Sequence, residues 1–211
     1  MDYKPNMDDN PSLTFVHDLD TSRSGLRELK IGICGPFEVR SYCKSAVRDL
    51  ESLDEIAGLS KWRIETSYWE DLTPRVGRPQ DQINKQVIAG ADVFLGIVGG
   101  TLGRVGKDGA SFFEEEYEYA RNCCFSKGLP MIWLFRKTCT ELERERQERE
   151  VARVDAFFRE IEDRQEVLYA RFGSLEDLFF QLHKSVGQFL KEKNETSDCG
   201  KAELQLKAVS G

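Results

Sequence analysis

The chain alternates between short apolar runs and longer segments in which apolar residues recur at helical spacing. The runs "LKIGICGPF", "DVFLGIVGG" and "PMIWLFR" are nearly continuous, and each is predicted to contain a buried strand. The stretch "WRIETSYWE" alternates and is rich in β-forming residues, so it is predicted as another strand, with "EVLYARFG" as the last. Strands that are apolar throughout need cover on both faces, which is typical of a parallel sheet.

The intervening segments have the pattern of covering helices. They are residues 39–59, "PQDQINKQVIAGA", "SFFEEEYEYARNCCFSKG", Glu141 to Gln165, and "SLEDLFFQLHKSVGQFLKEK". The order βαβαβαβαβα predicts an α/β domain with a doubly wound, flavodoxin-like parallel sheet of about five strands and helices on both faces. We expect "DVFLGIV" to be central with "KIGIC" beside it, and ligands to bind at the carboxyl ends of the strands.

The two ends of the chain have a different composition from the middle. Residues 1–27 are polar, contain Pro and Gly and show no sustained period, so we predict a flexible leader. Residues 28–193 are predicted to form the α/β domain, and residues 194–211 a flexible polar tail.

Charge and cysteine usage narrow the function classes. Thirty Lys and Arg against 37 Asp and Glu give a net charge of −7, which argues against nucleic-acid binding as the main function. No apolar run approaches the roughly 20 residues of a membrane helix, and the acidic, proline-broken start is not a signal peptide. The six cysteines form no C-x-x-C pair and only two histidines accompany them, so we expect reduced thiols, no metal and a cytoplasmic location.

Four glutamates lie between aromatic residues in the stretch "DGASFFEEEYEYARN". Ser111 followed by Glu114 fits a capping box, in which each side chain accepts a hydrogen bond from the other residue's backbone N–H. A helix is therefore predicted to begin at Phe112.

The helical period distinguishes Glu116 from the other three glutamates. With Phe113 set at 0°, Glu116 falls at about −60°, at the edge of the buried stripe. The glutamates predicted to face outward are Glu114, Glu115 and Glu118. A carboxylate beside an apolar face costs free energy unless it is paired or lines a wet pocket. There are three interpretations: an ion pair with an arginine such as Arg104, a side chain that reaches past the edge of the stripe to water, and a functional carboxylate.

Three stretches in order carry a resemblance to a known family: "GRPQDQIN" at 77–84, "ADVFLGIVGGTLG" at 91–103 and "SFFEEEYEYA" at 111–120. Together they resemble the TIR-like domains at the N-termini of bacterial STAND and NACHT-type ATPases. Those domains form a family of unknown function within the wider group of TIR domains and nucleoside deoxyribosyltransferases. The resemblance spans roughly Leu29 to Leu190 and implies a TIR-like version of the predicted fold.

In the transferase relatives, a Ser/Asp-Gly-Thr-x-x-Glu-x-x-x-Ala segment carries the catalytic glutamate. Ser111, Glu116 and Ala120 match its first, glutamate and alanine positions, whereas Phe112 and Phe113 replace the Gly-Thr pair. The resemblance implies that Glu116 is catalytic in cleaving an N-glycosidic bond, with NAD as substrate rather than cofactor, in bacterial defence or cell-death signalling. The alternative is a non-catalytic module that self-associates or binds a partner signalling protein, and a third reading is a sensor of a nucleotide-derived signal.

The remaining candidate residues follow the predicted strands. Gly35 and Phe37 follow the first strand, in a tight turn or in a loop that holds a base or ribose. Trp69 at the end of the second strand is either a packing aromatic or a platform for a nicotinamide or adenine ring. The other candidates are Gly99 and Gly100, which allow close backbone approach to a ligand, and Arg104, which can neutralise phosphate. Ser111, at the first position of the transferase motif, is also a candidate substrate-binding residue.

Overall fold

A computed structural model describes residues 26–58, 61–73 and 75–209, with side-chain surroundings within 26–54, 61–73 and 75–195. The strands are β1 (Arg27–Cys34), β2 (Trp62–Tyr68), β3 (Val93–Val98), β4 (Met131–Lys137) and β5 (Tyr169–Phe172). The helices are α1 (Arg40–Gly58), α2 (Pro79–Ile83, continued by a π-helix at Asn84–Ile88), α3 (Phe112–Lys127), α4 (Glu141–Arg146), α5 (Glu148–Arg164) and α6 (Leu175–Val209). Short 3-10 turns, Phe37–Val39 and Trp69–Asp71, follow β1 and β2.

The five strands form one sheet in the order β2-β1-β3-β4-β5, and every pair is parallel. Strand β3 is central and all six of its residues are buried, with β1 beside it, so the predicted doubly wound α/β fold is confirmed. The chain places β2 on one side of β1 and then crosses back to place β3 on the other side of β1. The carboxyl ends of β1 and β3 therefore form the switch point, where open α/β sheets have a crevice for ligands.

Alternate residues of the central strands supply two separate cores. Ile31, Leu95 and Ile97 belong to the core that α1 and α6 cover. Phe94 and Val98 belong to the core on the other face, where residues of the π-helix, α3 and α5 pack. This division follows from the two-residue period of a strand, because successive side chains point to opposite faces of the sheet.

Two elements differ from their predicted extents. The predicted helix from Glu141 to Gln165 is interrupted at Gln147, which separates α4 from α5. Helix α6 continues past Asn194 to Val209, where a loose polar tail was predicted, and the Asn194 side chain accepts a hydrogen bond from Trp62 Nε1 at 3.1 Å. The predicted leader lies outside the described residues except for its last two positions. None of the helices in the described ranges is both long and apolar enough to cross a membrane.

Candidate functional site

A cleft of about 520 Å³ opens beside the switch point between β1 and β3. The loops after β1, β2 and β3 and the first turns of α2 and α3 all contribute to its wall. The lining residues are Gly35, Pro36, Phe37, Trp69, Arg78, Pro79, Gln80, Ile83, Leu102, Gly103, Arg104, Phe112, Phe113 and Glu116. The cleft is therefore mostly apolar, with a small number of polar groups, which is the usual make-up of a small-molecule site.

Local sequence sets the position of Glu116 in this cleft. The Ser111 side chain accepts a hydrogen bond from the Glu114 backbone N–H, and the Glu114 carboxylate accepts one from the Ser111 N–H. This capping box begins α3 at Phe112, as predicted, and places Glu116 in the second turn. Glu116 is only 7% exposed, so the edge position predicted from the helical period is a buried one that faces the cleft.

Two neutral groups, rather than a cation, hold the Glu116 carboxyl. Gln80 Nε2 donates a hydrogen bond to Glu116 Oε1 at 2.8 Å, and the Cys34 thiol bonds to the same carboxyl. No lysine or arginine in the described ranges forms a salt bridge with Glu116, so the ion pair considered with Arg104 is not present. A carboxyl that is buried in a cleft without a cation has a perturbed pKa, which makes Glu116 a candidate functional group.

Burial changes the protonation of this carboxyl. The pKa of Glu116 is raised from 4.5 to about 7, chiefly by loss of water and to a smaller extent by the negative charge of Glu115. The hydrogen bonds from Gln80 and Cys34 act in the opposite direction because they favour the charged form. Burial and the neighbouring Glu116 in turn raise the pKa of the Cys34 thiol, so that this thiol remains protonated and able to donate.

Helix α2 positions Gln80 beside the Glu116 carboxyl. Pro79 occupies the first turn of α2, where its missing N–H needs no partner, and Gln80 follows with only 3% exposure. The helix then widens into a π-helix that packs directly on β1: a Cβ atom at Gly32 would lie 2.2 Å from the Val87 carbonyl oxygen. Glycine at position 32 therefore permits the close packing that brings α2 and β1 to the same side of the cleft.

The aromatic and basic candidates lie around the mouth of the cleft. Phe37 is 72% exposed and Trp69 is 37% exposed, so both rings line the cleft rather than being packed inside the core. The Arg40 guanidinium lies over the Phe37 ring, 5.4 Å from its centroid. The Arg104 side chain is also exposed at the lining, and no ion pair to its guanidinium is present among the described residues. These positions suit an aromatic, negatively charged ligand.

The glycine candidates divide into two groups. Gly35 lines the cleft, and a Cβ atom there would lie 2.6 Å from the Ile97 carbonyl oxygen, so the loop after β1 passes directly over β3. Gly99 and Gly100 are buried and do not appear in the lining. The N–H groups of Gly100 and Thr101 instead donate to the Glu38 carboxylate at 3.2 Å and 3.0 Å.

The other glutamates of α3 have structural partners. Glu114 completes the capping box and bonds to Arg153 at 3.2 Å. Glu115 was predicted to face water, but its carboxylate accepts two hydrogen bonds from Arg78, at 2.7 Å and 2.9 Å. Glu118 bonds to Arg164 at 2.7 Å on the exposed side of the helix. Ser111, predicted as a substrate-binding residue, is fully buried as the helix cap and is absent from the cleft lining.

Sequence reasoning missed the two partners of Glu116. The expectation of reduced thiols did not single out Cys34, and Gln80 was not among the candidate residues. No pattern in the sequence distinguishes Gln80, because Asp81 and Gln82 beside it are polar as well. Five cysteines fall in the described side-chain ranges; all are free thiols, and Cys34 and Cys43 are buried. Those ranges contain no cluster of His, Cys, Asp or Glu suited to a metal ion.

Fold and cleft together define the class of protein. It is a doubly wound α/β domain with a buried carboxyl in an aromatic-rimmed cleft at the topological switch point. The chain belongs to a family described as a domain of unknown function, DUF4062, whose model matches residues 14–187. No curated protein and no solved structure matches the chain. The family match covers the whole sheet and the cleft, but its description assigns no activity.

Proposed function

We propose that this domain cleaves the N-glycosidic bond of NAD or a related nucleotide, with Glu116 as the catalytic carboxylate. The observation that carries the proposal is the buried Glu116 carboxyl, which faces a cleft and has no cation beside it in the described ranges. The resemblance to TIR domains and nucleoside deoxyribosyltransferases, which selects the same residue by a motif, supports this reading. The exposed Phe37 and Trp69 rings at the cleft are suitable platforms for the planar base.

The reaction would be dissociative. As the bond between C1′ of the ribose and the nicotinamide nitrogen breaks, its electron pair leaves with neutral nicotinamide and positive charge grows on the ribose. An ionised Glu116 beside that carbon stabilises the oxocarbenium-like state, as an ion pair or as a nucleophile. Water then adds to C1′ and releases a proton, or another acceptor completes the transfer.

The protonation state of Glu116 gives this mechanism a pH dependence. The carboxylate is the active form, and the pKa of Glu116 in the free protein is about 7. The ionised fraction therefore increases as the pH rises through 7, and kcat/KM should rise with it and level off above about pH 8. A cationic nicotinamide ring near the carboxyl favours ionisation, so in the bound complex the same rise should occur at a lower pH.

The decisive experiment compares nicotinamide release from NAD by the parent protein, Glu116→Gln and Glu118→Gln. Glutamine keeps the shape of residue 116 and removes its charge. The rate should fall by a factor of about a hundred or more in Glu116→Gln, as when one preorganised electrostatic group is lost. Glu118 is on the same helix but bonds to Arg164 on its exposed side, so Glu118→Gln should retain the parental rate.

Thermal melts of the three proteins separate a chemical effect from unfolding. Loss of activity in a Glu116→Gln protein that melts at or above the parental temperature supports catalysis by Glu116. A parent protein that releases no nicotinamide, or a Glu116→Gln variant as active as its parent, overturns the proposal.

A second candidate function is a non-catalytic interaction module, which the TIR resemblance also allows. It is favoured by the exposed apolar side chains of Leu168 and Phe180, which line a shallow depression beside the edge strand β5. A protein that releases no nicotinamide but self-associates, measured by analytical ultracentrifugation, would favour this function. A setting in bacterial defence or cell-death signalling, in the cytoplasm, is part of either proposal.

A further inference from the structure

A second chamber, of about 610 Å³, adjoins the cleft that holds Glu116. The two chambers share Phe37, Trp69, Pro79 and Ile83 in their walls, so they form one continuous groove. The second chamber extends over the 3-10 turn after β2 and is lined by Arg40, Glu70 and Arg75 among others. A ligand with its reacting bond beside Glu116 can therefore continue past the two aromatic rings into this chamber.

The charges along the groove have the opposite sign to those of the chain. Four arginines and two glutamates line the two chambers within the described residues, although the chain has a net charge of −7. One of those glutamates is Glu116, which is partly protonated at neutral pH because burial raises its pKa to about 7. A cleft whose lining has one sign of charge concentrates ligands of the other sign, so the groove favours an anion.

The positive charges of the two arginines in the second chamber, Arg40 and Arg75, are not fully neutralised by neighbouring carboxylates in the described ranges. Glu70 is shared between Arg40 and Lys44, whose Nζ lies 2.6 Å from the Glu70 carboxylate, so one anion serves two cations. These cations lower the pKa of Glu70. The Arg75 side chain is exposed, and its guanidinium has no ion pair within the described ranges. By contrast, Arg78 in the first chamber is already bound to Glu115.

Two backbone amides at the start of the glycine-rich loop after β3 are already occupied. Its Gly100 and Thr101 N–H groups, which would suit an anion, already donate to the Glu38 carboxylate. A phosphate in the groove would therefore bind to side-chain guanidinium groups, which form strong, charge-assisted hydrogen bonds to phosphate oxygens.

We infer that the second chamber is a phosphate subsite, with Arg75 as its principal free ligand and Arg40 as a second contact. The substrate of this groove is then a nucleotide rather than an unphosphorylated nucleoside: the base and ribose lie beside Glu116, and the phosphate lies beyond Trp69. The inference deepens the proposed function and rests on it for the position of the scissile bond. The binding of phosphate itself does not depend on cleavage.

The test measures binding and cleavage separately. Titration calorimetry with ADP-ribose and with adenosine, at low salt, compares the parent protein with Arg75→Gln and the control Arg63→Gln. Arg63 is an exposed arginine near the amino end of β2, away from the groove. ADP-ribose affinity should fall about tenfold or more in Arg75→Gln, since a hydrogen-bonded charge pair is lost, and should be unchanged in Arg63→Gln. Adenosine affinity should be the same in all three proteins.

Nicotinamide release then uses two substrates, NAD and nicotinamide riboside. In Arg75→Gln, kcat/KM should fall about tenfold or more for NAD and stay at the parental value for the riboside. Arg75-dependent binding of ADP-ribose by a protein that cleaves neither substrate would support the phosphate subsite and overturn the proposed function. Cleavage of both substrates with no effect of Arg75→Gln on either would overturn the subsite and leave the proposed function standing. ADP-ribose affinity unchanged in that variant would overturn the subsite, whatever the result for cleavage.

Discussion

Replacing Glu116 with glutamine should change how the stability of the protein depends on pH, whatever its activity. In the folded protein, burial raises the pKa of Glu116 from 4.5 to about 7. Below pH 4.5 the carboxyl is protonated in both the folded and the unfolded chain and contributes nothing to the difference. Between pH 4.5 and 7 the unfolded chain releases the proton while the folded protein retains it, so the stability of the parent protein falls as the pH rises.

The size of the effect follows from the pKa difference. Each pKa unit corresponds to about 1.4 kcal/mol, so the shift from 4.5 to about 7 makes the charged carboxyl cost the folded state about 3 kcal/mol above pH 7. Glu116→Gln removes this dependence. The variant should therefore gain stability relative to its parent by about 3 kcal/mol between pH 4.5 and pH 8, with the gain complete just above pH 7.

Urea unfolding at pH 4.5, 6, 7 and 8 measures the difference, with Glu118→Gln as the control on the same helix. Glu118 forms exposed ion pairs with Arg121 and Arg164, which contribute about 0–1 kcal/mol, so its replacement should give a small difference across this range. A flat difference between the parent and Glu116→Gln would refute the reasoning. A loss of stability that grows with pH would show that the charged carboxylate is stabilised by a cation after all.

Two other predictions concern Gly35, which lines the cleft, and Gln80, the hydrogen-bond donor to Glu116. Gly35→Ala should lower the free energy of unfolding by about 1–3 kcal/mol, because the new Cβ atom would lie 2.6 Å from the Ile97 carbonyl oxygen. Thermal melts check this. The control is Gly90→Ala, whose new Cβ atom would have no neighbouring atom within 4 Å and should cause no such clash. Gln80→Leu should raise the pKa of Glu116 above 7, because the Gln80 N–H that favours the charged carboxylate is lost. Carbon-13 NMR titration of the labelled Glu116 carboxyl measures this pKa. An unchanged or lower pKa would contradict the assigned hydrogen bond.

The features that the sequence pattern predicted are those governed by short-range periodicity. The unbroken apolar run of β3 requires cover on both faces, which implied a central strand in a parallel sheet. The serine and glutamate that start α3 satisfy each other within one turn, so the phase of that helix was readable from the sequence alone. The phase in turn identified Glu116 as the glutamate nearest the buried stripe.

The contacts that complete the site join residues far apart in the sequence, and hydrophobic periodicity does not predict such contacts. Gln80 is 36 residues before Glu116, and their contact depends on how closely the π-helix packs on β1 at Gly32. No local rule indicates that Glu38 would occupy the amides of Gly100 and Thr101, because the spacing of the two loops is set by the whole sheet. For the same reason the partner of Glu115 could not be read from its outward phase on the helix.

The bond between Glu38 and the loop after β3 has a consequence for ligand entry. The loops after β1 and β3 flank the switch point, and two hydrogen bonds join them across it. These two walls of the crevice therefore cannot separate unless both hydrogen bonds break. A ligand would meet walls whose spacing is already fixed, so binding would sacrifice little backbone freedom on this side. Adaptation to ligands of different size would then fall to the opposite wall, the segment between β2 and α2 that carries Trp69 and Arg75.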